Sequence, residues 1–306
     1  MRPITNREIL SKEEYERERA DFRRRIIAAK AKRRVPVGDH ATVHFETRDT
    51  MLYQVHEMLR AENPDACVAI TPIPVTAEIS TQVIRAGISL LMEKPPGATA
   101  DEARTIVGLV EKAGARVMVS MNRRFDPALC AALDWWGDRP IPYLRGRIVR
   151  VNRREPDFMY GTAIHPLDAM RAVAGNVQEY SVDERLVDGI RWFVLRLVFE
   201  SGTLGTLEVL PTAGSLGESY ELVGDRIRAL AGAGDTDSGV VHCWENGELL
   251  VEQCPSRGMP GFVRNGTYAE TVAFISALQV GEALYPSPAE VLQSVELCEA
   301  IQARMT

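Results

Sequence analysis

The sequence predicts an α/β fold plus an α+β fold: a reduced parallel-sheet domain followed by a mostly antiparallel-sheet domain. Two observations support this prediction. Between residues 63 and 126, short apolar runs alternate with amphipathic stretches of helical period, which is typical of a parallel sheet with right-handed crossovers. Beyond about residue 127, strand-like runs follow one another with few helical stretches between them, which is typical of an antiparallel sheet.

In the first of these two parts, periodicity and turn residues locate each element. Thr99 is expected to cap a helix, because Glu102 follows three residues later. Gly87 and Gly114 stand where helices end and a left-handed residue is favoured. The resulting prediction is strands at 66–71, 88–93 and 116–121, and helices at about 75–86 and 99–113.

In the second part, alternating apolar residues predict seven strands, and three stretches have helical periodicity. The small residues 231–235 are expected to form a flexible tip between strands, because no helix follows them. The predicted strands are 143–152, 179–186, 190–199, 203–210, 218–223, 227–230 and 248–254. The predicted helices are about 163–174, 267–280 and 288–304.

Residues 1–62 differ from the rest of the chain and are expected to form a separate helical and strand segment. The first half is highly charged, and nine Lys or Arg fall within residues 17–34. An alternating strand is predicted at 41–46 and an amphipathic helix at 50–61. We expect this strand to pair beside strand 66–71 and the helix to cover one face, because an open apolar edge promotes aggregation. The predicted domains are 1–62, 63–126 and 127–306.

The composition narrows the classes of protein to which the chain can belong. Its 306 residues are 45% hydrophobic and 25% charged, as in ordinary globular proteins. The formal net charge of −6 argues against nucleic-acid binding. No apolar run reaches the roughly 18 residues of a membrane span, and the polar start lacks a signal peptide, so we expect a cytoplasmic protein without a membrane partner. The five cysteines are scattered and form no C-x-x-C, so neither a metal site nor disulfides are indicated.

The triplet Glu93-Lys94-Pro95 ends an apolar strand and is the most informative local feature. A lysine at the carboxyl end of a buried parallel strand points into the crevice where such sheets bind ligands. The proline removes a backbone donor and restrains the turn, so the ammonium group has a rigid support. Lys94 is therefore a candidate proton donor or substrate clamp. The chain nevertheless contains no G-x-G-x-x-G turn for a dinucleotide phosphate.

Residues 63–306 resemble the glucose–fructose oxidoreductase and inositol dehydrogenase (Gfo/Idh/MocA) family. The resemblance depends on the order and spacing of several motifs. It implies a Rossmann-like domain followed by an α+β substrate domain whose open sheet often builds a dimer or tetramer, so a homo-oligomer is expected. The motifs are residues 64–72 (PDACVAITP), Ala86-Gly87, Glu93-Lys94-Pro95, residues 122–127 (NRRFDP), residues 164–168 (IHPLD) with Arg171 and Gly175, and Tyr268-Ala269-Glu270 with Phe274.

The same resemblance implies NAD(P)-dependent hydride transfer on a sugar- or polyol-like hydroxyl substrate, with NAD or NADP as cofactor. Lys94 would be the acid/base, and His165 and Asp168 its relay or a substrate clamp. Each has a structural alternative, since His165 can be a structural histidine and Asp168 can pair with Arg171 within a helix. Residues beside the nicotinamide would be Thr71, Pro72, Glu93 and Pro95. An anionic or polyhydroxyl substrate could be held by Arg123 and Arg124, which could equally be a surface pair.

Several departures from the family pattern leave other functions open. The first βαβ unit and its glycines are absent, Pro74 and Thr76 replace frequent histidines, and Gly161 stands where several members have an aspartate. The chain could therefore be a non-catalytic binding or assembly protein that has lost dinucleotide binding, or a truncated or mis-joined reading frame. Residues 1–62 resemble a small bacterial family of unknown function, which indicates a fusion near residue 62.

Overall fold

The computed structural model describes residues 10, 12–31, 34–37, 41–44, 49–50, 52–53, 56–57, 66–234, 236 and 238–304. The helices are α1 (Lys12–Ala31), α2 (Ile73–Arg85), α3 (Ala100–Ala113), α4 (Pro127–Trp136), α5 (Ile164–Ala174), α6 (Gly261–Arg264), α7 (Thr267–Val280) and α8 (Pro288–Ala303). The strands are β1 (Arg34–Val37), β2 (Ala41–His44), β3 (Ala66–Ala69), β4 (Ser89–Met92), β5 (Val117–Val119), β6 (Tyr143–Val149), β7 (Val177–Val187), β8 (Ile190–Phe199), β9 (Leu204–Leu210), β10 (Gly217–Gly224), β11 (Ile227–Gly232), β12 (Val241–Glu245) and β13 (Glu248–Gln253).

The structure of the amino-terminal segment contradicts the predicted pairing of strand 41–46 beside strand 66–71. Strand β2 pairs antiparallel with β1, with Arg34 opposite His44, and does not lie beside β3. The prediction was wrong because residues 34–37, although they include a proline, form strand β1. This strand makes a hairpin with β2, its neighbour in sequence. Residues 45–46 and most of the predicted helix 50–61 lie outside the described residues, but the described parts of 49–57 are helical.

Helix α1 packs on the helical residues near position 56. The buried ring of Tyr15 stacks on His56 with centroids 4.5 Å apart, and its hydroxyl donates to Glu57 at 2.8 Å. Arg19 forms two hydrogen bonds to the same carboxylate, at 2.7 and 2.8 Å. A bidentate guanidinium–carboxylate pair holds two elements in a defined orientation, so the charged helix has a packed face as well as a solvated one.

The three strands predicted between residues 66 and 121 form a parallel sheet, as expected, and their order is β3-β4-β5. Helix α3 begins as expected, because Thr99 Oγ1 accepts a hydrogen bond from Glu102 N at 3.2 Å. It ends at Gly114, whose φ of 59° is left-handed. One face of the sheet packs against α2 and α3, and on the other face Leu91 and Met118 pack on Phe274 of α7. Val68 points to that second face, and it is 51% exposed.

The second sheet has eight strands in the order β13-β12-β11-β10-β6-β9-β8-β7. All neighbours are antiparallel except β6 and β9, which confirms a mostly antiparallel sheet. Helices α4 and α5 lie on one of its faces, where alternate strand residues are buried. Strand β12 and helix α4 were not predicted.

The predicted flexible tip at 231–235 is corrected by the structure. Residues 231 and 232 belong to β11, and Gly234 N donates to the buried carboxylate of Asp126 at 3.1 Å. The larger of the two core clusters of described residues runs from the parallel sheet to the large one, because α8 packs against both α3 and α5. Among the described residues, none of the helices has the length and apolar character that a membrane span requires.

Candidate active site

The carboxyl ends of the three parallel strands meet at one edge of the first sheet. Thr71 follows β3, Glu93 and Lys94 follow β4, and Ser120 follows β5. The structure thus brings together the predicted residues Thr71, Pro72, Glu93, Lys94 and Pro95. The Thr71 hydroxyl lies 2.9 Å from that of Thr76 in the first turn of α2. Glu93 accepts a hydrogen bond from the backbone N–H of Lys94 at 3.1 Å.

Lys94 reaches from this edge to the second part of the chain. Its Nζ donates a hydrogen bond to the carbonyl of Gly161, within a π-helical turn at Met159–Ala163. Burial lowers the pKa of Lys94 below its ordinary 10.5, the charges of Arg123 and Arg153 lower the pKa further, and Glu93 opposes them. A lysine with a lowered pKa is neutral more often near neutral pH, as a general base must be.

His165 lies directly after that turn, in the first turn of α5. Its Nδ1 is buried and has no hydrogen-bond partner among the described residues. Burial holds the pKa of His165 well below 6.5, and the charges of Lys94, Arg123 and Arg150 lower it further. The imidazole is therefore neutral at pH 7. An unpartnered buried nitrogen indicates a place that a ligand or water completes.

Asp168, in contrast, is fully engaged with other protein groups. Its carboxylate accepts two hydrogen bonds from Arg124, at 2.7 and 2.9 Å, and one from Ser294 Oγ at 2.8 Å. Arg171, the alternative helix partner, is more distant, at 3.7 Å. The carboxylate joins the 3-10 turn at Asn122–Phe125 to α5 and α8. The predicted relay role of Asp168 stays a prediction.

Arg123 and Arg124 do not form a surface pair. Arg124 also stacks on Tyr285, with the guanidinium carbon 5.0 Å from the ring centroid. Arg123 binds Glu218, a residue that is completely buried, with Nε–Oε1 at 2.8 Å. Both guanidinium groups are therefore bonded to carboxylates, and their predicted part in substrate binding stays a prediction.

The buried Glu218 cluster escaped prediction from sequence. Arg150 Nη2 donates to Glu218 Oε2 at 3.0 Å, and the Tyr220 hydroxyl donates to Oε1 at 2.9 Å. The charges of Arg123 and Arg150 lower the pKa of Glu218 against the opposing effect of burial. A signal was present, because alternation along β10 puts Glu218 on the same face as the apolar Leu222. A charge on a buried face indicates a partner, although not which one.

Glu270 is a further site residue that the sequence did not single out as functional. It projects from α7, and its Oε2 accepts a hydrogen bond from Ser120 Oγ at 2.7 Å. Its Oε1 is buried without a hydrogen-bond partner in the described part of the chain. Burial and the charge of Glu93 raise the pKa of Glu270 to about 7, although hydrogen bonds from Ser120 and Met121 oppose this.

The residues at this edge fit one end of a nicotinamide dinucleotide. Among the described residues, two buried atoms near this edge have no hydrogen-bond partner and could bind the polar groups of such a ring: His165 Nδ1, after the turn that Lys94 contacts, and Glu270 Oε1, on the carboxylate that Ser120 contacts. The diphosphate end is different, because no G-x-G-x-x-G turn exists to bring backbone N–H groups to phosphate. In the described part of the chain, no group of three or more His, Cys, Asp or Glu could hold a metal, and the five cysteines are free.

Comparison with known proteins gives two kinds of match. Residues 3–71 match a family described as protein of unknown function (DUF3501). The inositol 2-dehydrogenase of Rhizobium meliloti is 27% identical over 124 residues, which are 40% of this chain and 35% of that protein. The chain thus matches about a third of the length of this curated relative.

Solved structures share the fold at low sequence identity. A Gfo/Idh/MocA family oxidoreductase from Vibrio cholerae superposes with a TM-score of 0.69 at 19% identity, covering 79% of this chain and 78% of that one. An oxidoreductase from Agrobacterium radiobacter, in complex with NAD+, L-tartaric acid and magnesium, has a TM-score of 0.65 at 15% identity and covers 77% and 76%. In fold and in sequence, the chain therefore resembles the oxidoreductases of the Gfo/Idh/MocA family, and its residues 3–71 match a family of unknown function.

Proposed function

We propose that this chain is an NAD(P)-dependent oxidoreductase that oxidises or reduces a sugar- or polyol-like hydroxyl substrate. One observation carries the proposal. Lys94, with a lowered pKa, lies at the carboxyl edge of a parallel sheet and contacts the turn that precedes the neutral His165. That edge is where open parallel sheets bind ligands, and a lysine whose pKa is lowered by burial is better suited to accept a proton than an exposed one.

The residues of the chain would handle the proton in this reaction. In the oxidative direction, neutral Lys94 accepts the hydroxyl proton on Nζ while the adjacent carbon loses a hydride and becomes a carbonyl carbon. Bound NAD(P) would supply the acceptor for that hydride. His165 would orient the hydroxyl as a neutral hydrogen-bonding group. Asp168 would keep α5 in place through Arg124 and Ser294.

The cofactor would be NAD or NADP, with Thr71, Pro72, Glu93 and Pro95 beside the nicotinamide. One structural neighbour, the oxidoreductase from Agrobacterium radiobacter, contains NAD+, which supports this assignment. The chain's own residues support it by their position at the sheet edge. They offer no glycine-rich turn to the diphosphate, so the affinity is expected to be lower than that of a complete dinucleotide fold.

A second candidate function is a non-catalytic binding or assembly protein. The lack of a glycine-rich turn favours it, as does the exposed face of β3, where Val68 and Ile70 are 51% and 81% exposed. Such a protein would retain the shape of the substrate side but would not hold a dinucleotide. It would also keep Lys94 and His165 in their present positions without using them for turnover.

Titration of the full chain with NAD(H) and NADP(H), followed by fluorescence of its four tryptophans, distinguishes the two. Saturable binding in the micromolar range supports the enzyme, and no binding at millimolar concentration supports the second candidate. In the enzyme, Lys94→Met is expected to retain cofactor binding and lose at least about a hundredfold in kcat, as for loss of a general base. Lys112→Met, a change at an exposed helix position, is the matched control.

We also propose that the chain forms a homo-oligomer through the face of the eight-stranded sheet that α4 and α5 leave uncovered. This face carries polar and charged cross-strand pairs, such as Tyr143 with Thr206 at 2.9 Å. Leu204 on the same face is 55% exposed. Light scattering coupled to size-exclusion chromatography measures the mass of the assembly. A mass of one chain at micromolar concentration would contradict the proposal.

A further inference from the structure

Helix α7 has no charged residue on its outer side. Its sequence, Thr267–Val280, contains one charged residue, Glu270, and the structure buries that residue. Apolar residues occur around the whole circumference of this helix, a pattern typical of a helix that is covered on every side. In the described part of the chain, the covered side is the one on which Phe274 packs against Leu91 and Met118. The outer side therefore has the composition of a contact surface rather than of a solvated one.

The exposed apolar residues of α7 have the spacing of a seam between two helices. Tyr268, Val272 and Ile275 are 55%, 43% and 47% exposed, and they lie four and three residues apart. Gln279 continues the pattern four residues later. This spacing puts side chains along one flank of a helix, and it is the spacing by which two helices pack side by side. These four residues are referred to below as the α7 seam.

The direction of α7 over the sheet determines where the seam points. Glu270, in the first turn of the helix, accepts a hydrogen bond from Ser120 beyond the end of β5, at 2.7 Å. The carbonyl of Ala277, near the end of the helix, accepts from Arg116 just before β5, at 2.8 Å. Helix α7 therefore runs antiparallel to the strands, on the face opposite to α2 and α3. With right-handed crossovers and a right-handed helix, this arrangement turns the seam towards β3.

A slot lies between the α7 seam and the outer edge of β3. Its floor consists of Val68 and Ile70, exposed apolar residues on the same face of the sheet as α7. Leu278, three positions after Ile275, packs on the same cluster as Ala66 at the start of β3, as this orientation requires. Neither the seam nor strand β3 contains a charged residue. The slot is thus an apolar recess beside a protruding apolar helix.

We propose that a second copy of this chain occupies the slot, with its own α7 packed beside this one. The surface is self-complementary, because each copy offers one protruding helix and one recess next to it, as a two-fold interface requires. Packed helices lie about 8–10 Å apart, which is about the width of two strands, so one helix fits above β3. Two copies of an uncharged surface also meet without repulsion between like charges.

The symmetry of this interface defines its contacts. Each α7 can lie in the slot of the other copy only if the two-fold axis runs along the helices, so the two helices are parallel and in register. Tyr268 and Ile275 then meet their own counterparts near the axis. Val272 is turned further outward and packs on the β3 floor of the partner subunit. The open face of the eight-stranded sheet takes no part in this interface.

Ile275→Cys tests the arrangement in the full chain, because two cysteines that meet across a two-fold axis can form a disulfide. Oxidation with copper phenanthroline, followed by mass spectrometry of the peptides, is expected to give a disulfide that joins position 275 of both copies. Val280→Cys is the matched control, since Val280 is 68% exposed on the other flank of the same helix. No disulfide at position 275, or an equal yield at both positions, overturns the proposal.

Ile275→Lys tests the stability of the interface, because it puts a charge into the seam of each copy. We expect it to halve the mass of the assembly measured by sedimentation equilibrium, whereas Val280→Lys leaves the mass unchanged. Ile275→Ser is a milder variant with the same expected direction, and circular dichroism shows whether each variant is folded. A mass that neither change at position 275 alters, or a mass of one chain for the unaltered protein, overturns the proposal.

The outcome is separable from those of the proposed function and of the interface through the eight-stranded sheet. Leu204→Lys places a charge on that sheet, where Leu204 is exposed. If Ile275→Lys and Leu204→Lys each lower the mass, the α7 interface is supported beside the other one. If only Leu204→Lys does, the α7 interface is rejected. Titration with NAD(H) reports on the oxidoreductase in both cases, because the seam includes none of the residues assigned to the cofactor.

Discussion

His165 is held neutral by burial and by three nearby cations, so its protonation is coupled to folding. Because the folded-state pKa lies below the ordinary 6.5, the unfolded chain binds more protons than the folded chain as the pH falls through this range. The free energy of unfolding should therefore decrease from pH 7.5 towards pH 5. The contribution of this residue can reach about 1.4 kcal/mol for each pH unit.

His165→Asn should remove that part of the pH dependence. Urea denaturation of the two proteins at pH 7.5, 6 and 5 measures it, and the difference between them isolates His165 from other titrating groups. We expect the wild-type protein to lose more stability than the variant over this range. Parallel losses in both proteins would contradict the assignment of the low pKa to His165.

At the scale of single residues, the sequence revealed side chains that follow a strand but not their partners. Lys94 was predictable because the end of an apolar strand and the following proline determine its position. Arg123 and Arg124 were expected to face ligand or solvent. They instead bind Glu218 and Asp168, which are 95 and 44 residues away along the chain. The spacing of residues along the chain contains no information about carboxylates so distant. The burial of the two arginines could therefore not be predicted.

Helix α3 offers a test at the scale of one element. Thr99 Oγ1 caps its first turn, and Glu102 returns a hydrogen bond by accepting from Ala98 N at 2.7 Å. Thr99→Ala should destabilise the protein by about 1 kcal/mol, because an N–H group at the helix start loses its acceptor. The free energy of unfolding in urea is the measurement.

Thr105→Ala in the same helix is the matched control for this substitution. Its hydroxyl donates to Asp101 O within the helix at 2.9 Å, and the side chain is exposed. We expect a change within about 0.5 kcal/mol, as for surface positions without a capping role. Equal effects of the two substitutions would show that Thr99 does not act as a cap.

Most elements with a local sequence signal were predicted, and those without one were missed. The strand ends after β4 and β5 and the cap of α3 follow from residues within one turn. Helix α4 also had a local signal, since Asp126 accepts from Ala128 N and Pro127 occupies the first turn, but the change of pattern near residue 127 obscured it. The π-helical turn at Met159–Ala163 has no pattern of its own, and it is the turn that Lys94 contacts.

At the scale of the whole molecule, strand β3 presents an exposed apolar face beside α7. The structure pairs β3 only with β4 among the described residues, and Val68 and Ile70 are 51% and 81% exposed. Apolar edge strands promote association between chains. Val68→Lys should therefore lower light scattering during incubation at elevated concentration, with little change in the free energy of unfolding.

Ile27→Lys provides the comparison, because Ile27 is 58% exposed but lies on helix α1 rather than on a strand. It is expected to reduce scattering less than Val68→Lys does. If the two substitutions act equally, exposed apolar area in general causes the association, and the edge of β3 has no special part in it.

The overall architecture was largely predictable from periodicity, because strand and helix patterns change visibly near residue 127. The pairing of residues 41–44 was not predictable from periodicity, because a hairpin with the neighbouring β1 competes with pairing beside β3. A short strand can satisfy its backbone groups in either arrangement. The nearer partner has the lower entropy cost of loop closure.

The protonation of Glu270 couples ligand binding in the crevice to the uptake or release of protons. With a pKa of about 7, the Glu270 carboxyl is close to half ionised at pH 7. A ligand that contacts Oε1 or neutralises Glu93 shifts the protonation equilibrium of Glu270. Binding is then accompanied by uptake or release of a fraction of a proton. Heats of binding measured in phosphate and in Tris would then differ by the ionisation heat of the buffer multiplied by that fraction.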